Sequence, residues 1–287
     1  ALCQVPLQDV DASCIELERA LASGHVGVHI GNHVGTRDLD NEGLVTFLQH
    51  CADLGAPVLV HPWDMNPLDG RLEKHMMGWT VGMPLETHLS ITSMILGGAF
   101  DRLPPSLRLC FAHGGGAFAF LLGRLENAWH ERSLARGKSM HPPSHYLNRF
   151  SVDSAVFDAR ALNLLVDTLG AERVMLGSDY PFPLGEQSIG ALVRDSDCLS
   201  QNERELILGG NATKFFNLEI TSAAHKLTPS DQHLPLAAGR PFQAGSHVFD
   251  TPFTRPVPIM SHYSTAAVPG DKGSVRTGKP TVRAYRG

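Results

Sequence analysis

Residues 107–116, L-R-L-C-F-A-H-G-G-G, run from an apolar β-forming stretch straight into a histidine and three glycines. A strand buried on both faces reads as a continuous apolar run, and the glycines mark where the chain leaves the sheet. Two further stretches repeat the pattern. Residues 57–65, P-V-L-V-H-P-W-D-M, end a run of β-formers on His61 and Pro62, and residues 173–182, R-V-M-L-G-S-D-Y-P-F, end one on Asp179. Strand ends gathered on one rim are where (β/α)8 barrels hold catalytic and metal-binding groups. The three endings therefore predict both a barrel and the position of its site.

Working outward, short apolar runs alternate with longer stretches whose apolar residues recur three and four apart, the pattern of βα units around a parallel sheet. Strands are predicted at residues 2–6, 26–30, 57–60, 107–112, 150–152 and 173–176. Helices are predicted at residues 11–22, 41–54, 84–97, 119–129, 159–169 and 202–208. The reading is an α/β chain of TIM type, a (β/α)8 metal-dependent hydrolase-like barrel with about the last six βα units present and the first two missing. Residues 1–220 form the barrel domain in this reading. Residues 221–287 are rich in Pro, Gly, Ser, Thr and His without helical or alternating period, and are expected to be a disordered tail.

The 287 residues, 43% hydrophobic, are enough for a sizeable core, and the formal charge of −5 carries no basic run of the kind nucleic acid or an anionic membrane selects. No stretch of about 18 apolar residues suggests a membrane span, and the opening A-L-C-Q-V-P-L does not read as a signal peptide. A cytoplasmic protein with a small neutral or anionic partner is expected. Five cysteines, Cys3, Cys14, Cys51, Cys110 and Cys198, form no C-x-x-C pair and read as packing residues in a reducing compartment.

Each ending alone has a bland reading. A histidine at a strand end is more often a hydrogen-bonded structural residue than a ligand, and a Gly run also serves a tight turn. Asp179 is harder to dismiss, because a carboxylate ending a buried strand needs a metal, an arginine or backbone donors. Taken together, two imidazoles and a carboxylate are a fitting donor set for Zn²⁺ or another divalent cation.

The wider context of these residues resembles the decarboxylase branch of the amidohydrolase superfamily. The likeness runs from about residue 2 to residue 218, through V-G-V-H-I-G-N-H, V-H-P-W-D-M, Gly78-Trp79, M-P-L-E-T, F-A-H-G-G-G-A-F-A-F-L-L-G-R, V-D-S-A-V-F and G-S-D-Y-P-F-P-L-G-E. It implies one divalent metal, Zn²⁺ by expectation, and no organic cofactor. It implies His61 and Asp179 as metal ligands, with His113 as the catalytic acid/base. Arg124 is implied to reach a neighbouring subunit's site in a homodimer and clamp a substrate carboxylate, while Met65, Trp79 and Phe182 line the substrate pocket. The implied substrate is a small anionic unsaturated dicarboxylate that loses carbon dioxide without oxidation. Arginine suits the clamping role because its planar fork grips a carboxylate bidentately, and the aromatic side chains offer flat walls to a conjugated substrate.

The chain also departs from the family pattern. The superfamily's first-strand H-x-H pair, and a second carboxylate-binding arginine, have no counterpart here and are expected to fall before residue 1. His25, His29 and His33 are spaced by four, but in a Gly-punctuated β context they are not assigned as ligands. Three alternatives therefore accompany this reading: hydrolysis or hydration on the same scaffold, decarboxylation of a related aromatic acid, and a non-catalytic fragment.

Overall fold

The computed structural model describes residues 1–65 and 70–219, so the tail expected at 221–287 lies outside the described residues. Eight strands are present among them: β1 (Leu2–Cys3), β2 (Gly27–Gly31), β3 (His33–Val34), β4 (Arg37–Asp38), β5 (Val58–His61), β6 (Leu109–Phe111), β7 (Ser151–Asp153) and β8 (Val174–Met175). Six of them form one sheet in the order β1-β2-β5-β6-β7-β8, every pair parallel, while β3 and β4 make a small antiparallel pair.

Parallel neighbours need a crossover, and helices supply it. They are α1 (Val10–Ala22), α2 (Glu42–Asp53), α3 (Met83–Leu96), α4 (Ala99–Arg102), α5 (Phe118–Glu131) and α6 (Ala159–Leu169). Three short helices, α7 (Ala191–Arg194), α8 (Gln201–Glu205) and α9 (Asn211–Phe215), follow β8. Helix starts are written in the sequence. Asp9 accepts from the Ala12 amide at 3.0 Å, Asn41 from Gly43 at 3.2 Å, and Asp158 from Arg160 and Ala161 at 2.8 and 3.3 Å. Such a cap contributes about 1 kcal/mol to its helix.

The six-strand parallel sheet expected from the apolar runs is present, with shorter strands than the runs suggest. Residues 4–6 leave the ladder early because Pro6 has no amide to donate and the Val5 carbonyl instead accepts from Leu7 at 2.9 Å. The hairpin β3–β4 has no apolar alternation and was invisible to periodicity.

Buried residues of the sheet pack on the helix layer through an aromatic chain. Phe111 of β6 meets Phe150 edge-on at 5.6 Å, and Phe150 meets Phe118 at 5.6 Å and Phe100 at 6.1 Å. Contacts of this geometry add about 0.5–1.5 kcal/mol each beyond simple burial. Cys3, Cys51 and Cys110 are buried, Cys14 is half-buried and Cys198 is exposed. Burial pushes the thiols of Cys3, Cys14, Cys51 and Cys110 upward, which keeps them protonated. No helix among the described residues is long and apolar enough to cross a membrane.

Sheet register decides what meets at the rim. Gly31 pairs with His61, Val60 with Phe111, Phe111 with Val152, and Asp153 with Met175. The C-terminal ends of β2 and β5 therefore present Gly31 and His61 side by side, with His113 just past β6 and Asp153 at the end of β7 beyond it.

Candidate metal centre

His61 is the last residue of β5, where Pro62 ends the ladder. Its ring lies edge-on to that of His113, centroids 4.9 Å apart, and His113 Nε2 stands 3.8 Å from Asp179 Oδ1. One donor atom from each of His61, His113 and Asp179 can be chosen so that all lie within 4.8 Å of one another. The sequence-predicted trio is thus brought together from three separate strand ends.

The turns that present these groups are unusual. His113 and Asp179 both have φ of 56°, and Gly114, Gly115 and Gly116 continue with φ of 62°, 73° and 64°. Four successive residues in this region turn the chain sharply and aim the imidazole back over the sheet. Asp153 holds the turn: its Oδ1 accepts from the Gly114 and Ala155 amides, each at 3.0 Å. Burial pushes the Asp153 carboxyl up, while nearby His113 and these amides pull it down. On the other side, the Glu186 carboxylate accepts from the Gly190 and Leu192 amides, both at 2.7 Å, and the Glu186 amide donates to the Ser178 carbonyl at 2.7 Å. That braces the loop carrying Asp179.

The electrostatics suit a cation. Burial, then the neighbouring His113 and His29, lower the His61 pKa to about 4, so its imidazole is held in the neutral, ligating form. His113 Nδ1 is buried without a hydrogen-bond partner, an expense that a bound ligand or proton donor would relieve. Two imidazoles, one of them with an unpartnered ring nitrogen, and one carboxylate form a donor set that fits a divalent metal.

A cleft of about 430 Å³ opens beside these donors, lined by Trp79, Met83, Pro84, His113, Asp179 and Leu184 among others. Trp79 is one of these lining residues and sits on a single wide helical turn, Gly78–Gly82, leading into α3. Met65 is half-buried, and its carbonyl lies over Gly82 of that turn. Phe182 is 57% exposed and is not among the residues lining this cleft; Leu184 is the lining residue from that loop. Arg124 is exposed on α5, outside the cleft, and has no ion-pair partner among the described residues.

A second cleft, of about 530 Å³, opens beyond His61 and is lined by Gln4, Gln8, His29, His33, His61 and Trp63 among others. His29, not assigned from sequence, packs edge-on to His61 with centroids 5.6 Å apart. Its position in β2, next to β5, was readable only from strand pairing. Asp153 was missed too, although the V-D-S-A-V-F motif contained it.

The family model described as "Amidohydrolase" matches residues 1–218. The chain belongs to the amidohydrolase family. Among relatives, it is 43% identical over 217 residues to 2-amino-3-carboxymuconate-6-semialdehyde decarboxylase of Dictyostelium discoideum, a match covering 75% of this chain and 60% of the relative. It is 36% identical over 234 residues to the protein of the same name in Caenorhabditis elegans, covering 71% of this chain and 58% of the relative. The chain thus spans about 60% of the length of these two amidohydrolase relatives. Among solved structures, a dihydroxybenzoic acid decarboxylase from Polaromonas, with bound manganese and the inhibitor 2-nitroresorcinol, superposes with a TM-score of 0.67 at 22% identity. That match covers 76% of this chain and 68% of the other, and it supports the shared barrel-type fold.

Proposed function

We propose that this amidohydrolase catalyses metal-dependent, non-oxidative decarboxylation, with 2-amino-3-carboxymuconate 6-semialdehyde as substrate. The observation that carries the reading is the convergence of His61, His113 and Asp179 at the head of a cleft walled by Trp79, in a chain similar to two decarboxylases of that name. His61 and Asp179 hold the metal, Zn²⁺ in our reading. When bound, a divalent cation supplies Lewis acidity and lowers the pKa of water at the site toward neutrality.

The chain's own residues do the rest. Trp79 presents a flat apolar face to a conjugated, planar substrate, with Met65 behind its turn, and in this reading Phe182 approaches the bound substrate from the loop after Asp179. In this reading Arg124, exposed on α5, reaches into a neighbouring copy of a homodimer and clamps a substrate carboxylate there. The bond from the conjugated chain carbon to its carboxylate breaks, carbon dioxide leaves, and the electron pair enters the conjugated aldehyde. His113 manages the single proton that the same carbon gains. The balance needs no oxidant, and no organic cofactor is invoked. The free cysteines fit a cytoplasmic setting.

The test is to load the purified chain with Zn²⁺ and follow the semialdehyde's absorbance loss beside a panel of lactones. Turnover of the semialdehyde, abolished in His113→Ala while metal content is retained, supports the reading. Activity on lactones alone would move it to hydrolysis, and failure to bind metal would make the chain non-catalytic.

A further inference from the structure

Asn32 and Glu86, neither of them a metal donor, form a polar contact in the buried layer between sheet and helices. Asn32 follows β2 and is 1% exposed; Glu86 lies in the first turn of α3 and is 6% exposed. Asn32 Nδ2 donates to Glu86 Oε2 at 2.7 Å, its Oδ1 accepts from the Trp63 amide at 3.0 Å, and its carbonyl accepts from Ser90 Oγ at 3.0 Å. One asparagine thus joins the end of β2, helix α3 and the segment that follows His61.

Trp63 is fastened twice more. Its indole Nε1 donates to the His33 carbonyl at 2.8 Å, and its ring stacks on His33 with centroids 5.4 Å apart. The ring also lies against Gly31, where a Cβ would come within 2.6 Å of it. Gly31 is the residue paired with His61 in the β2–β5 register. The fixed points of Trp63 therefore all refer back to residues 31–33, the segment that Asn32 organises.

A buried carboxylate is an expensive way to join a helix to a sheet. Among the described residues no arginine or lysine pairs with Glu86, which meets Asn32 and, at 3.7 Å, His33. Apolar packing would hold α3 down at least as well, but it could not orient the Asn32 amide, which needs a directional acceptor on its Nδ2 to keep Oδ1 aimed at the Trp63 amide.

We propose that the buried Asn32–Glu86 pair is a positioning unit for the metal centre, setting the path of residues 61–65 and with it the direction in which His61 presents its imidazole. The inference rests on the reading of His61 as a metal ligand.

The probe is Co²⁺ alone, added to the full chain, with its visible absorption bands reporting ligand geometry and its titration reporting affinity. Asn32→Ala and Glu86→Ala should each weaken Co²⁺ about tenfold or more, the size of effect seen when the support of a ligand is lost, and should change the band shape. Glu86→Gln retains an acceptor for Asn32 and should bind Co²⁺ as the unaltered chain does. Asn32→Ser, which reaches only one of its two partners, serves if an alanine variant does not fold, with the same expectation. Tyr146→Phe controls for simple loss of stability: the Tyr146 hydroxyl bonds Asp101 at 2.7 Å and makes no hydrogen bond to residues 31–33, 61–65 or Glu86, so the variant should melt earlier yet bind Co²⁺ unchanged. Unchanged affinity and bands in the Asn32 and Glu86 variants, or equal weakening in Tyr146→Phe, would overturn the proposal while leaving the metal centre standing. Absence of Co²⁺ binding by the unaltered chain would remove both.

Discussion

Two glycine-to-alanine substitutions, identical in chemistry, should move stability in opposite directions. Gly116 closes the His113 turn with φ 64° and ψ −125°, a region that side chains disfavour. A Cβ there would lie against the Pro84 carbonyl oxygen and 3.0 Å from its carbon, at the start of α3. Backbone strain of this kind costs about 1–3 kcal/mol. Overpacking against atoms that cannot rotate away adds about 1–3 kcal/mol, so Gly116→Ala should lose about 4 kcal/mol. Gly123, inside α5, is the counterpart: a Cβ there meets nothing within 4 Å. Gly123→Ala should gain about 0.5–1 kcal/mol by stiffening the unfolded chain and filling a helix position. Urea unfolding followed by tryptophan emission measures both, with protein concentration varied so that any change in assembly separates from folding. A Gly116→Ala variant within about 1 kcal/mol of the unaltered protein would refute the argument, since ordinary surface substitutions already scatter that far.

Other outcomes follow from the same geometry. Stripping metal with a chelator should lower the melting temperature, and returning Zn²⁺ should restore it, whereas a His61→Ala chain should show neither change; calorimetry on the two chains decides this. Asn211 Nδ2 donates to the Ala171 and Val174 carbonyls, both at 2.7 Å and buried. Asn211→Ala leaves two carbonyls unpaired and should cost about 2–4 kcal/mol in urea. Asp158, which caps α6, has its pKa lowered to about 2 by its bonds to the Arg160 side chain and the Arg160 and Ala161 amides. Its contribution is therefore present above the ordinary aspartate pKa and is lost as pH falls toward 2. Asp158→Ala should reduce stability at neutral pH and flatten the acid limb of a melting-temperature profile.

Much of the fold was readable because parallel strands carry their signal locally. V-L-V before His61 and L-C-F before Ala112-His113 are apolar on both faces, and that alone separates them from the amphipathic helices between them. The donors were readable for the same reason, since each closes such a run. What escaped depends on which strands lie beside each other. His29 became a neighbour of His61 only once β2 was paired with β5, and Asp153 gained its role only once β7 was set beside β6, where its carboxylate meets the Gly114 amide. Asn32 and Glu86 are 54 positions apart, and nothing in either local window points to the other. Phe182 and Leu184 show a finer point: they are two apolar residues in one loop, and only the backbone turn after Asp179 sets the second against the cleft.

The arrangement of the thiols has a practical side. Cys198 alone is exposed, with three of the other four sealed in the interior and Cys14 half-covered. Under native conditions a maleimide dye should label one position quickly, giving a specific handle for distance or anisotropy measurements without any mutagenesis. The remaining thiols then act as a built-in clock, because each becomes reactive only when the element covering it opens, so their order of modification in dilute urea would map which part of the barrel yields first.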